Sequence, residues 1–170
     1  TLVSTTEWKV TNSMAEKARQ NLLDAIALRH NYSERGFTEV MEMESVIDRY
    51  EDKLGTYLMK ITRKSLSPAQ SDEVSKYLHT ISDFERISDH ASNLAEVMQE
   101  IHEKNAQFSA DAQRELNVLE GAIREIVRIT VEAFISNDEE LAIRVEPLEE
   151  VIDGLCDEMK SHHVERLQAG

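Results

Sequence analysis

Apolar positions in this chain recur in steps of three and four along most of its length, and no segment alternates with period two over a useful distance. The clearest stripe is Val40, Met43, Ile47, Tyr50, Leu54, Tyr57 and Ile61, which predicts a helix opening at Thr38 or Glu39 with the near-3.5-residue seam of bundle packing. Before it, Trp8, Ala15, Ala18, Leu22 and Ala25 return to one helical face and predict a helix over residues 5–30. A third helix is expected after Ser67, an N-cap followed by Pro68 at the first helical position. Its stripe runs Val74, Leu78, Ile81, Phe84, Ile87 or Ser88, Ala91, Leu94, Met98 and Ile101. A fourth follows Ser109 through Leu116, Leu119, Ile123, Ile126, Thr130 and Ala133. Asn137 or Asp138 caps a fifth through Val145, Leu148, Ile152, Leu155 and Met159, with Pro147 expected to kink it or delay its regular start. The breakers at Asn31 to Gly36, Ser65 to Pro68, Lys104 to Ala110 and Asn137-Asp138 mark the joints. The fold class is all-α, a helical bundle.

Composition narrows the partners. The chain has 33 Asp or Glu against 19 Lys or Arg, a formal net charge of −14, so nucleic acid is not an expected partner: neutralising phosphates takes clustered basic residues. Only 5 Gly and 2 Pro interrupt the 170 residues, which favours long helices, and 41% hydrophobic residues suffice for a core. The longest apolar run, Ala25 to Leu28, is far short of the roughly 18 residues that cross a bilayer. Cys156 is the single cysteine, which excludes an intramolecular disulfide and a Cys-rich zinc module. The first residue is Thr1, and its flanking sequence has no signal-peptide pattern, so the chain is expected to be cut from something longer.

The chain also repeats itself. Glu44-Ser-Val-Ile-Asp48 recurs as Glu149-Glu-Val-Ile-Asp153, an offset of 105 residues, and Met43, Tyr50 and Leu54 fall on Leu148, Leu155 and Met159 under the same shift. The first and fourth helices align as well, Met14 with Leu119 and Leu22 with Val127. Two units of three helices are implied, over residues 1–107 and 108–170, the second lacking its last helix. Its two helices carry apolar stripes that a third should cover, so the pair is expected to be sheltered by another chain, including as a homo-oligomer, or by the first three helices.

Candidate chemistry lies in the carboxylates. Glu44 and Asp48, four residues apart, share one side of the second helix. Glu44 follows the stripe residue Met43 and Asp48 follows Ile47; Glu85 follows Phe84, with Asp89 four residues on; Glu149 follows Leu148 and Asp153 follows Ile152. Three helices thus place carboxylates on the same flank of the core seam, and neighbouring helices would bring Glu44, Asp48, Glu85 and Asp89 together. Four clustered carboxylates repel, and a multivalent cation is the simplest neutralising group. Oxygen donors suit iron, manganese, magnesium or calcium, and zinc accepts them too. None of the six histidines has Glu three residues before it, which excludes the ferritin type of di-metal oxidase.

The string Glu85-Arg-Ile-Ser-Asp-His-Ala-Ser-Asn-Leu-Ala-Glu96, together with the two ExxxD motifs, resembles the PhoU family of phosphate-uptake regulators. The likeness covers the chain as one and two-thirds PhoU repeats. It implies tandem three-helix bundles with spectrin-like up-down packing, and metal clusters, often iron or zinc, at the bundle surface. Carried over residue by residue, the first cluster would take Glu44, Asp48, Glu85 and Asp89, and half of a second would take Glu149 and Asp153. It also implies a cytoplasmic regulatory role at the inner face of the cell membrane, without catalysis, with the membrane domain of a phosphate transporter as partner. Within the family, the segments DFERISDHASN and HHVERLQAG look most like the tail of a sodium/phosphate cotransporter. The alternative setting is a stand-alone regulator of the phosphate ABC transporter and its sensor kinase. A carboxylate-bridged metalloenzyme is the reading of a different class, and no nucleophile motif supports it.

Several other residues have plainer readings. His90 beside Asp89 reads as an exposed helix histidine before it reads as a ligand, and Arg86 as a surface ion-pair partner. Arg63 and Lys64 make a basic spot too small for a phosphate site, and His162-His163 is expected to face solvent. Trp8 and the methionines are expected to fill bundle gaps.

Overall fold

The computed structural model describes residues 5–169, and within these there is no strand. Six helices follow one another: α1 (Thr5–Ala27), α2 (Glu34–Thr62), α3 (Pro68–Glu103), α4 (Ala110–Ser136), the short α5 (Glu139–Ala142) and α6 (Val145–Ala169). The all-α reading therefore holds, with the physical cause visible at the caps. Ser67 and Gln70 form a reciprocal capping box at the start of α3: the Gln70 N–H donates to Ser67 Oγ at 3.3 Å and the Ser67 N–H donates to Gln70 Oε1 at 2.9 Å. Ser109 Oγ accepts the Ala112 N–H at α4, and Asn137 closes α4 in the left-handed region at φ 53°. Asp138 caps α5, and the chain bends before α6 starts. Pro147 is the third residue of α6, where a missing N–H costs no intrahelical bond, so the proline delays the regular helix as expected.

Three boundaries differ from the sequence reading, one of them in the helix expected from Asn137 or Asp138, which is split into α5 and α6. The first helix ends at Ala27, three residues early, and α2 opens at Glu34 rather than at Thr38 or Glu39. Ser33 is the cap, its Oγ accepting the Gly36 N–H at 2.9 Å, so Gly36 lies inside the first turn of a helix instead of breaking one. Its role is close approach: a Cβ built there would stand 2.9 Å from Leu28 Cδ2.

Contacts divide the chain after Glu103 into a unit of α1, α2 and α3 and a unit of α4, α5 and α6. In the first unit the three helices pack on one another around Met14, Val40, Ile47, Leu58, Val74 and Ile81, all essentially inaccessible to solvent. Towards the turn between α1 and α2 the core narrows to Ala25, Leu28, Val40, Ala91, Ala95 and Met98, where small side chains let the helices close up. Asn21 is buried at this level and ties all three helices: its Nδ2 donates to the Val40 carbonyl of α2 at 3.2 Å and to Ser88 Oγ of α3 at 3.0 Å. The sequence left Ile87 or Ser88 open for that stripe position, and the structure buries Ser88. Trp8 packs against the ring of Tyr77, with centroids 5.6 Å apart, filling a bundle gap as expected.

The second unit is thinner. Ile129, Val131 and Ala133 of α4 are buried, while the α6 stripe of Leu148, Ile152, Leu155 and Met159 is only half covered. The α4 to α6 tie is polar: Arg166 donates to both oxygens of Glu115 at 3.2 and 3.0 Å, and His162 Nδ1 lies 2.7 Å from Glu115 Oε1. His162 therefore has a partner on the neighbouring helix while remaining exposed, and His163 is exposed as well, as expected. Among the described residues, no helix is long and apolar enough to cross a membrane.

Candidate metal centre

Helix α2 and helix α3 run side by side in the first unit, and their carboxylates meet along the joint. Asp48 and Glu51, three residues apart, fall on one flank of α2; Glu85 faces them from α3. One ligand oxygen from each of Asp48, Glu51 and Glu85 lies within 4.8 Å of the others, close enough to share an ion. Ser82, one turn before Glu85, donates its hydroxyl to Glu51 Oε1 at 2.6 Å and so holds that carboxylate towards α3.

The electrostatics agree with the geometry. Glu85 holds its proton more tightly than an ordinary glutamate: partial burial is the first cause, and repulsion from Glu51, Asp89, Asp48 and Glu44 adds to it. Glu85 thus feels the three other carboxylates that the sequence placed in the first cluster. The closest trio differs from that set, however. Asp48 and Glu85 belong to it, Glu44 and Asp89 stand around it, and Glu51 takes the place that the four-residue spacing did not mark. The missed signal was available in the three-residue step from Asp48, since positions three and four apart share a helix face. The oxygen-only donor set fits a hard multivalent cation, with Asp48, Glu51 and Glu85 as the groups that would hold it.

The remaining sequence candidates are placed differently. Glu149 and Asp153 are both exposed on α6, and among the described residues no third His, Cys, Asp or Glu joins them in a ligating group. His90 is exposed and stands outside the trio. Arg86 pairs along its own helix with Asp83 at 3.8 Å, not with an α2 carboxylate.

Comparison with known proteins identifies the family of the chain. The PhoU domain matches residues 11–98, just over half of the chain and nearly all of α1, α2 and α3. The "Phosphate-specific transport system accessory protein PhoU homolog 1" of Thermotoga maritima is 26% identical over 152 residues, covering 89% of this chain. The chain spans 65% of that relative's length. No solved structure matches the chain. A three-helix unit with paired acidic motifs on α2 and α3, matched by that domain across more than half of its residues, belongs to the PhoU domain family.

Proposed function

We propose that this chain is a regulatory, non-catalytic module of phosphate transport that binds a multivalent cation between α2 and α3 and acts by contact with a membrane transport protein. The observation that carries the cation is the convergence of Asp48, Glu51 and Glu85 within 4.8 Å, with Glu51 held in place by Ser82. Three acids brought together without a counter-ion destabilise the fold, and a bound cation reverses the sign of that interaction. Iron and zinc are the metals that the family resemblance suggests. Family membership supports the regulatory role, and the Thermotoga maritima relative carries phosphate-specific transport in its name.

Within this reading the tail of a sodium/phosphate cotransporter is the favoured setting, resting on the segments Asp83 to Asn93 and His162 to Gly170. The name of the relative favours the other setting, an accessory protein of a separate transport system. The reading frame upstream of Thr1 separates them: several in-frame apolar stretches of about 20 residues establish the cotransporter. The metal is tested on purified protein. Iron or zinc at defined stoichiometry, lost on combining Asp48→Asn, Glu51→Gln and Glu85→Gln, is the expected result; unchanged metal content refutes the site. Cells in which the segment is deleted should accumulate phosphate at an altered rate, and unaltered uptake refutes the regulatory role.

A further inference from the structure

The first unit carries a second feature on the side of α2 away from the carboxylates. A groove of about 490 Å³ lies between α1 and α2, with an apolar lining from Val10, Val46 and Leu54 and two tyrosine rings, Tyr50 and Tyr57. Arg49 and Lys53 line it too, both exposed, and neither has a hydrogen bond or ion pair with a described residue. From α1, Glu7 reaches the same groove with one carboxylate oxygen that is buried and has no partner.

The basic line continues beyond the groove. Lys60 falls within about 20° of Arg49 around the helix at 100° per residue, and it is exposed and unpaired among the described residues. From Arg49 to Lys60 the line is about 16 Å long at 1.5 Å per residue, too long for a small anion and matched to a peptide segment. The repeat supplies an internal control. At the offset of 105 that preserves Glu44, Asp48 and the core positions, Arg49, Lys53 and Lys60 fall on Gly154, Glu158 and Glu165. The helix pairing that the two units share therefore does not require these cations; they belong to the first unit alone.

We propose that this face of α2 binds an acidic, amphipathic helical segment of a partner protein. Its carboxylates meet Arg49, Lys53 and Lys60, its apolar side chains enter the groove, and a donor group answers Glu7. The groove favours a peptide over a lipid surface, because a flat bilayer leaves a recess between two helices unfilled while a helix with projecting side chains fills it. The proposal extends the reading of the chain as a module that works by contact with another protein, and it makes no use of the carboxylate trio.

The test uses a fluorescently labelled helical probe peptide of about 18 residues, with Glu along one face and Leu on the adjoining flank, and a second peptide with every Glu replaced by Gln. Anisotropy titration of the native chain should show at least roughly tenfold tighter binding of the Glu peptide, weakening as salt rises from about 50 to about 300 mM. The pair Arg49→Glu and Lys53→Glu should abolish that preference and transfer it to a Lys peptide, a rescue that an unfolded variant cannot give. Arg49→Gln with Lys53→Gln serves as the milder control, checked by an unchanged melting temperature. Asp48→Asn with Glu85→Gln should leave peptide binding intact, so failure of the metal reading and failure of this one are distinguishable. Equal affinity for the Glu and Gln peptides overturns the proposal. So does charge-dependent binding to vesicles containing phosphatidylserine with no preference for the Glu peptide, which would assign the face to a membrane.

Discussion

Replacing Glu85 by Gln separates the two opposed effects at the α2 and α3 joint. In the metal-free protein the glutamate is a liability, because it faces the acids of α2 and is partly desolvated. At 4.8 Å, the outer limit of the spacing in the trio, each pair of unit charges repels by ~0.9 kcal/mol in a water-like dielectric. Salt screening over a Debye length of about 8 Å reduces this to roughly half. Relief of two such pairs, with Asp48 and Glu51, therefore stabilises the apo protein by about 1 kcal/mol in Glu85→Gln, a rise in Tm of about 2 to 8 °C. With a saturating divalent cation the order inverts. A cation at a hundred times its Kd stabilises the native chain by about 2.7 kcal/mol, and loss of one anionic ligand that weakens binding tenfold removes about 1.4 kcal/mol of that gain. The assay is thermal unfolding followed by circular dichroism, in chelator and across a titration of zinc or manganese. Glu85→Gln that melts lower than the native chain in chelator, or that keeps the full metal-dependent rise, refutes the reasoning. The pH dependence has a fixed sign: a raised carboxyl value means that stability from this group is complete below the unfolded-state value and is lost as pH rises through the folded-state value.

Other perturbations test the packing. Asn21→Ala removes the bonds to Val40 and Ser88 and should cost about 2 to 3 kcal/mol in urea unfolding, whereas adding Ser88→Ala to it should cost little more, because the two side chains share one interaction. Gly36→Ala should destabilise by about 1 to 2 kcal/mol through the clash with Leu28, while Gly55→Ala, with open space around its Cβ, should stabilise by about 0.5 to 1 kcal/mol; equal effects at the two sites would contradict the close approach. Glu115 is held below the usual carboxylate range, first by hydrogen bonds from Arg166 and then, against some desolvation, by His162. Its contribution is present above the unfolded-state value and lost as pH falls through the folded-state value, so Glu115→Gln should flatten the acid side of the helicity profile of the chain.

Much of this protein was legible in its sequence because helix formation is written locally. Period, caps and breakers are short-range features, so Ser67-Pro68 and Ser109 announced their helices without reference to anything distant, while Asp138 caps the short α5 rather than the long helix expected there. The acidic motifs were legible for the same reason: a four-residue step defines one side of a helix wherever that helix goes. The sequence therefore determined an all-α chain of long amphipathic helices with acids in a fixed register to the core, and the family to which they belong.

Tertiary structure decided which of those acids meet. Glu51 joins Asp48 and Glu85 because α2 and α3 cross at that level and Ser82 offers a hydroxyl there, and neither fact exists within a single helix. It decided that Gly36 serves packing rather than a turn, since the approach of Leu28, beside the capping Ser33 Oγ, removes the room for a side chain. It chose Ser88 over Ile87 for the interior because Asn21, 67 residues away in sequence, needed a partner there. It also placed Arg49 and Lys53 beside a groove shared with α1, with no ion-pair partner among the described residues, which turned two ordinary surface cations into a candidate docking face. Helical register is set by neighbours in sequence; the company a side chain keeps across a helix joint is set by neighbours in space.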